Sequence, residues 1–149
     1  MKRDPMFEKG KKISLNGVKV KYAHVYDPDT KFEPEWSITM VIDDKKSRDQ
    51  LTDVGFNIKQ DKAGDFVLKA KTKVVSKGGR KNFPPRVIDA EGNNFTEPIG
   101  DGSICDVEVW CKYRDVSGKT YLPAYLNTVR VHTHVAREAA EVQPFFSTM

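Results

Sequence analysis

The segment Phe66–Asp101, FVLKAKTKVVSKGGRKNFPPRVIDAEGNNFTEPIGD, is where fold and function are first legible. Its opening residues alternate, with Phe66, Leu68, Ala70, Thr72 and Val74 on one side and Lys69, Lys71 and Lys73 on the other. Successive side chains of an extended chain point to opposite faces, so this is a strand with an apolar inner face and an outer row of ammonium groups. Ser76-Lys77-Gly78-Gly79 follows as a reversal, where glycine tolerates the positive φ of a tight turn. A short strand, Arg86 to Asp89, then leads into the turn Glu91-Gly92-Asn93-Asn94. Lys69, Lys71, Lys73, Lys77, Arg80, Lys81 and Arg86 lie between Phe66 and Ile88 with no acidic residue among them. The sequence predicts a basic hairpin carrying an aromatic, Phe83.

Two readings compete for that hairpin. Lysines along a strand can be a solvated surface or a guard against edge-to-edge pairing. The same residues can form a phosphate track, because cations spaced along a groove release counterions from a nucleic acid backbone. The rest of the chain must discriminate.

With 149 residues the chain is of single-domain size, large enough for a hydrophobic core without staples. Its net charge of +4 is unevenly spread, with the basic excess in residues 2–21 and 66–88. That balance suits an anionic partner. No segment reaches the ~20 apolar residues of a membrane span, and no signal-peptide pattern opens the chain. Cys105 and Cys111, if both on one strand, stand about 20 Å apart, too far to pair. They are expected as small buried hydrophobes of a reducing compartment, the cytoplasm.

From Ile13 the chain turns strand-like, with Val18, Val20 and Tyr22 expected on one face and Lys19, Lys21 and Ala23 on the other. Trp36, Ile38, Met40 and Ile42 alternate in a second strand, and core packing is the reading for Trp36. Asp43-Asp44-Lys45-Lys46-Ser47 opens one short helix, with Leu51, Val54 and Phe56 apolar and Gly55 at its end. In the strand Ser103 to Tyr113, Val107, Val109, Cys111 and Tyr113 face inward, leaving Asp106, Glu108, Trp110 and Lys112 outside. Trp110 among charges either packs on the N-terminal arm or last segment, or offers a stacking surface. Asp115–Lys119 forms a hairpin turn. In the last strand the apolar phase slips between Leu126 and Val129, which predicts a bulge at Asn127-Thr128. Many short strands with turn signals and one small helix describe a mainly-β Greek-key barrel or sandwich.

No Gly-rich phosphate loop, nucleophile elbow or zinc spacing is present. His132 and His134 share a strand face but lack a third ligand, so no metal or cofactor is expected. Asp106, Glu108 and Lys112 loosely imitate a metal-dependent nuclease site, and nothing in the sequence makes them converge. Aromatics interleaved with cations are the better clue. Tyr22 follows Lys21, Phe83 follows Arg80-Lys81, and Trp110 precedes Lys112, the combination on which unpaired bases stack while phosphates meet lysines.

Leu68-Lys69-Ala70-Lys71-Thr72, then Val87-Ile88-Asp89-Ala90-Glu91-Gly92, Pro98-Ile99-Gly100-Asp101-Gly102-Ser103 and the closing Leu126-Asn127-Thr128-Val129-Arg130-Val131 resemble, in this order, the single-stranded-DNA-binding proteins of short-tailed bacteriophages. The similarity spans about residues 13–135, and its most specific part is V-I-D-x-x-G followed by P-I-G-x-G-S. It implies a five-stranded Greek-key OB-fold barrel, here with one short helix and extra hairpin strands. It also implies coating of single-stranded DNA in phage replication, recombination and annealing, in the cytoplasm of the infected host, with the phage DNA polymerase and helicase as partners. Members commonly carry a long acidic C-terminal tail ending in an aromatic. Residues 136–149, AREAAEVQPFFSTM, depart from that pattern, with Glu138 and Glu141 against Arg137 and Phe145-Phe146 near the end. Either the tail is absent or a longer chain was trimmed, which leaves tail-mediated dimerisation and recruitment without support.

The expectation is thus a basic N-terminal arm (1–12), an OB-fold binding domain (13–135) and a short tail (136–149). Lys69, Lys71, Lys73, Lys77, Arg80, Lys81, Arg86 and Lys112 would meet phosphates, and Phe83, Tyr22 and Trp110 would stack on bases. No catalysis and no membrane partner are expected, and a homodimer and RNA binding stay open. A nuclease or junction resolvase and a virion adaptor are the alternatives.

Overall fold

The computed structural model describes residues 3–31, 33–76 and 78–137. Lys77 and the tail from Glu138 onward, including Phe145-Phe146, lie outside the described residues. The elements are a 3-10 turn (Pro5–Phe7), β1 (Lys11–Asp29), β2 (Glu35–Val41), α1 (Lys45–Val54), β3 (Lys59–Gln60), β4 (Phe66–Lys73), β5 (Arg86–Asp89), β6 (Ile104–Cys111), β7 (Arg114–Val116), β8 (Lys119–Tyr121) and β9 (Ala124–Thr133). Among the described residues no helix is long and apolar enough to cross a membrane.

The sheet order β3-β4-β2-β1-β6-β9-β5 closes on itself, because β9 also pairs in parallel with β4 at Lys71↔Tyr125. Five strands, β1, β2, β4, β6 and β9, therefore form a Greek-key ring with one parallel junction, the connectivity of an OB-fold. β1 is long enough to serve both sheet halves, meeting β6 over Lys11–Lys19 and β2 over Lys19–Asp29. Val20, Ile38, Met40, Val107, Val109, Val129 and both cysteines fill the barrel without solvent contact. Truncating a side chain such as Met40 to alanine costs ~2–5 kcal/mol in such a core.

The helix forms where expected. The Asp44 carboxylate caps it by accepting from the Ser47 N–H at 3.0 Å, and Gly55 (φ 121°) ends it. Leu51 and Val54 lean on the core, and Phe56 meets Phe7 edge-on at 5.7 Å. Phe7 is buried, and its carbonyl accepts from the Tyr113 N–H at 3.1 Å. Residues 3–10 thus lie against the barrel. The bulge at Asn127 is present: Glu108 faces Thr128 and Val109 faces Leu126, leaving Asn127 as the extra residue.

Three details differ from the sequence reading. Tyr22 does not continue the inward phase of Val20. The register of β1 shifts between Lys21 and His24, with Tyr22 at φ 53°, and this turns the ring outward to 52% exposure. Ala23 and Val25 face inward in its place, and Lys21 becomes nearly buried, its Nζ lying 2.5 Å from Asp61 and 2.8 Å from Asp65. Phe66 is also partly exposed, and the Arg48 guanidinium stands 4.3 Å over its ring. Finally, β5 is not the return strand of the β4 hairpin. Among the described residues that hairpin closes around the single bridge Val75↔Lys81, with the Ser76 N–H donating to the Arg80 carbonyl and the Asn82 N–H to the Val74 carbonyl. Pro84 and Pro85 have no N–H to continue a ladder, so the chain leaves and β5 joins β9 in parallel instead, Arg86↔Thr128 to Asp89↔Val131.

Candidate nucleic-acid interface

Strand alternation sends Trp110 outward from a β6 whose alternate residues, Val107, Val109 and Cys111, fill the core. Its register partner on β9 is Tyr125, which alternates with inward Ala124 and Leu126. Tyr125 in turn is the parallel partner of Lys71 on β4, and Lys12 on β1 is the partner of Trp110 on the other side. Lys71, Tyr125, Trp110 and Lys12 therefore form one transverse row over the outside of the ring, two aromatics between two cations. Trp110 is 40% exposed. One side of its ring fills the space where a Cβ on Gly10 (φ 98°) would stand, 2.1 Å from Cζ2, so the N-terminal turn sets its position.

A cleft of about 630 Å³ opens over the two aromatics of this row. Its floor is Trp110 and Tyr125. One wall is the end of β4 and the following hairpin, with Thr72, Ser76, Arg80 and Asn82, and the other holds Lys112, Arg114 and Asp115. Both walls are braced by local chemistry. The Asn82 side chain donates to the Lys73 carbonyl at 2.7 Å and to the Ser76 hydroxyl at 2.8 Å, which ties the hairpin that carries Arg80 to the end of β4. Ser117 (φ 52°) and Gly118 (φ 80°) make the tight turn between β7 and β8. Arg114 donates to the Tyr125 hydroxyl at 2.9 Å. Asp115 accepts from the Thr120 hydroxyl at 2.6 Å and from Arg3 at 3.1 Å; these two bonds hold its carboxyl below the usual range.

Next to Asn82, Phe83 stands 92% exposed. A phenyl ring that clear of the protein contributes nothing to the core, and a large apolar group left in water is unusual without a ligand. Lys81 and Arg86 are exposed on the same excursion of the chain. The outer lysines of β4 are about half exposed and face acids from the start of β2: Lys69 and Lys71 lie 3.3 and 3.9 Å from Glu35, and Lys73 lies 3.3 Å from Glu33.

The ring of β1–β2–β4–β9–β6 has counterparts among solved structures. No protein-family model matches the chain, and no curated protein matches it. The single-stranded-DNA-binding protein of bacteriophage Enc34 superposes with a TM-score of 0.61 at 17% identity, over 89% of this chain and 87% of that one. The same phage protein in complex with single-stranded DNA gives 0.59 at 17% identity, over 90% and 89%. The single-stranded-DNA-binding protein gp2.5 of bacteriophage T7 gives 0.63 at 15% identity, over 90% and 98%. The fold is that of phage single-stranded-DNA-binding proteins. At these identities the likeness concerns the backbone, and the side chains of the cleft must be read from this chain alone.

The barrel brings together Arg80, Trp110 and Lys112, with Lys71 in the same row and Phe83 exposed next in sequence to Asn82, which lines the cleft. It sets Tyr22 apart. Tyr22 lies ten positions along β1 from Lys12, the partner of Trp110, and its N–H donates to Asp101 at 2.9 Å near the far end of β9. Two groups escaped the sequence reading. Tyr125 was legible as the outward member of Ala124-Tyr125-Leu126, but its neighbour Trp110 is known only from the register. Arg114 sits in a short hairpin that offers no periodicity at all.

The outer carboxylates of β6 are used to stitch bulges. Asp106 accepts from the Gly17 N–H at 2.8 Å and meets His132 Nε2 at 2.7 Å, while Glu108 takes hydrogen bonds from Asn127 and Thr128. Burial alone would raise the Asp106 carboxyl, but the His132 ring and the Gly17 N–H outweigh it and hold it low. His134 bonds the Pro98 carbonyl at 2.9 Å, and no metal-holding cluster occurs among the described residues.

Proposed function

We propose that this chain binds single-stranded DNA without regard to sequence, in the cleft over Trp110 and Tyr125. The observation that carries this reading is the register itself. Two aromatic rings stand side by side on adjacent strands, and the walls above them carry Arg80, Lys112 and Arg114. Rings stack on any unpaired base, and the cations take up the phosphates between. Paired bases are stacked on each other and offer no free face, so a duplex would meet only the charges. Lys71, Lys81, Phe83 and Arg86 extend the path along the β4 side, Lys69 and Lys73 continue the outer row of β4, and Lys77 is assigned to the same basic set from sequence alone. Tyr22 is too far along β1 to share the path.

The likeness to phage binding proteins, one of them bound to single-stranded DNA, supports the reading. On it, the protein acts by coating DNA during phage replication and recombination in the cytoplasm of an infected cell, alongside the phage polymerase and helicase, and performs no chemistry. Asp106 and Glu108, engaged by Gly17, His132, Asn127 and Thr128, do not favour the nuclease reading.

The deciding experiment is a fluorescence titration with oligo-dT, oligo-rU and a matched duplex, across salt and with Mg²⁺ present. Quenching by the single strand, weak duplex binding, a steep salt slope and intact DNA are expected. Equal affinity for duplex, or cleavage, would overturn the proposal.

A further inference from the structure

The lysine row of β4 carries its own counter-charge. Glu33 and Glu35 flank Pro34 where the chain enters β2, and the Val74 N–H donates to the Pro34 carbonyl at 3.0 Å, which fastens this segment to the end of β4. Glu35 is the register partner of Lys73. From there its two carboxylate oxygens reach Lys69 and Lys71 at 3.3 and 3.9 Å, and Glu33 reaches Lys73 at 3.3 Å. Three ammonium groups thus face two carboxylates, and a row that reads as three free charges in sequence contributes about one. Of these contacts only Lys69 to Glu35 is a hydrogen bond. The lysine side chains remain 46, 55 and 49% exposed. Each ammonium has three donors, so each still presents N–H groups to solvent while loosely held.

We propose that Glu33 and Glu35 are built-in competitors of the nucleic acid backbone, occupying the phosphate positions on Lys69, Lys71 and Lys73 until a strand displaces them. This rests on the reading of the cleft given above, since Lys71 is the row-mate of Tyr125. The exchange is chemically even-handed: a carboxylate oxygen and a phosphate oxygen accept the same hydrogen bond. Glu33 is 72% exposed and Glu35 18%, but every ammonium they face stands about half in water, so these pairs are weak enough to exchange, whereas a phosphate also brings the release of its condensed counterions. The consequence is an affinity held below what the cations alone would give, and a strand that is let go when the acids return. A clamp that positioned the lysines would instead show short, paired hydrogen bonds to each of them.

The test replaces the acids by their neutral isosteres, Glu33→Gln and Glu35→Gln, singly and together, and follows oligo-dT anisotropy across salt. Binding should tighten by about 3- to 10-fold per carboxylate at low salt, and the log–log salt slope should steepen by about 0.7 for each. Asp49→Asn, an equal charge change on α1, where Asp49 pairs with Lys45 rather than with the lysine row, should leave both nearly unchanged. If Glu35→Gln melts early, Glu33→Gln carries the test, because its side chain is 72% exposed. Unchanged or weaker binding at an unaltered slope overturns the inference and makes the acids positioning groups or bystanders. A native protein that fails to bind oligo-dT at all overturns the reading of the cleft itself, so the two failures are told apart.

Discussion

Replacing Trp110 with alanine should remove one stacking surface and no charge, which makes it the sharpest probe of the cleft. A base stacked on an aromatic side chain is worth ~1–3 kcal/mol, so oligo-dT affinity should fall by about 5- to 150-fold. The salt dependence should not move, because no phosphate contact is lost. Arg80→Ala or Lys112→Ala should show the complementary pattern, a smaller loss with the log–log slope flattened by about 0.7 each. The assay is anisotropy of a labelled oligo-dT at salt concentrations from about 50 to 400 mM, a range over which the electrostatic part changes steeply. Intrinsic fluorescence gives a second readout. Trp36 is buried at 7% exposure and Trp110 is open at 40%, so the DNA-induced quench should belong to Trp110 and vanish in the variant. Trp110→Phe keeps a ring against Gly10 and should lose less. The reasoning fails if Trp110→Ala binds within twofold of the native protein, or if its slope flattens as the cation variants do. Either result would put the bases somewhere other than over β6 and β9.

Further expectations follow from the packing. Gly10→Ala would place a methyl group into the Trp110 ring at a backbone of φ 98°, so a displaced indole, a shifted emission spectrum and weaker oligo-dT binding are expected, without loss of the barrel in far-UV circular dichroism. Cys105 and Cys111 are buried and their thiols are pushed up to about 12, so neither should react with a thiol reagent at pH 8 until the protein is unfolded. The Asp61 carboxyl is held low, chiefly by its hydrogen bond with Lys21, then by backbone N–H groups against a burial cost. A carboxyl lowered in the folded state adds stability that is present above the unfolded value near 4 and is lost as pH falls through the folded one. Acid titration of thermal stability should therefore drop below about pH 4, and Asp61→Asn should flatten that drop while lowering stability at pH 7.

Much of this protein is local, and the local part could be read from residues in a row. Alternation placed β2, β4, β6 and β9, because a half-buried strand must put every second side chain in the core. Asp44 and Gly55 bounded α1 by ordinary capping, and the slip between Leu126 and Val129 marked the Asn127 bulge. The outward position of Trp110 was fixed by its inward neighbours Val109 and Cys111. What tertiary structure decided is what stands beside what. Tyr125 joins Trp110 through the antiparallel register of β6 and β9, and Lys71 joins Tyr125 only because the ring closes through a parallel β4–β9 junction between segments more than fifty residues apart in sequence. Glu33 and Glu35 cancel most of the lysine row across a strand pair, although the row itself contains no acid. A single positive φ at Tyr22 shifted the phase of β1 and turned that aromatic outward, ten positions along the strand from the row that holds Trp110. Periodicity sets the face of a residue within its own strand; register, bulges and ring closure, which depend on every strand at once, set its neighbours.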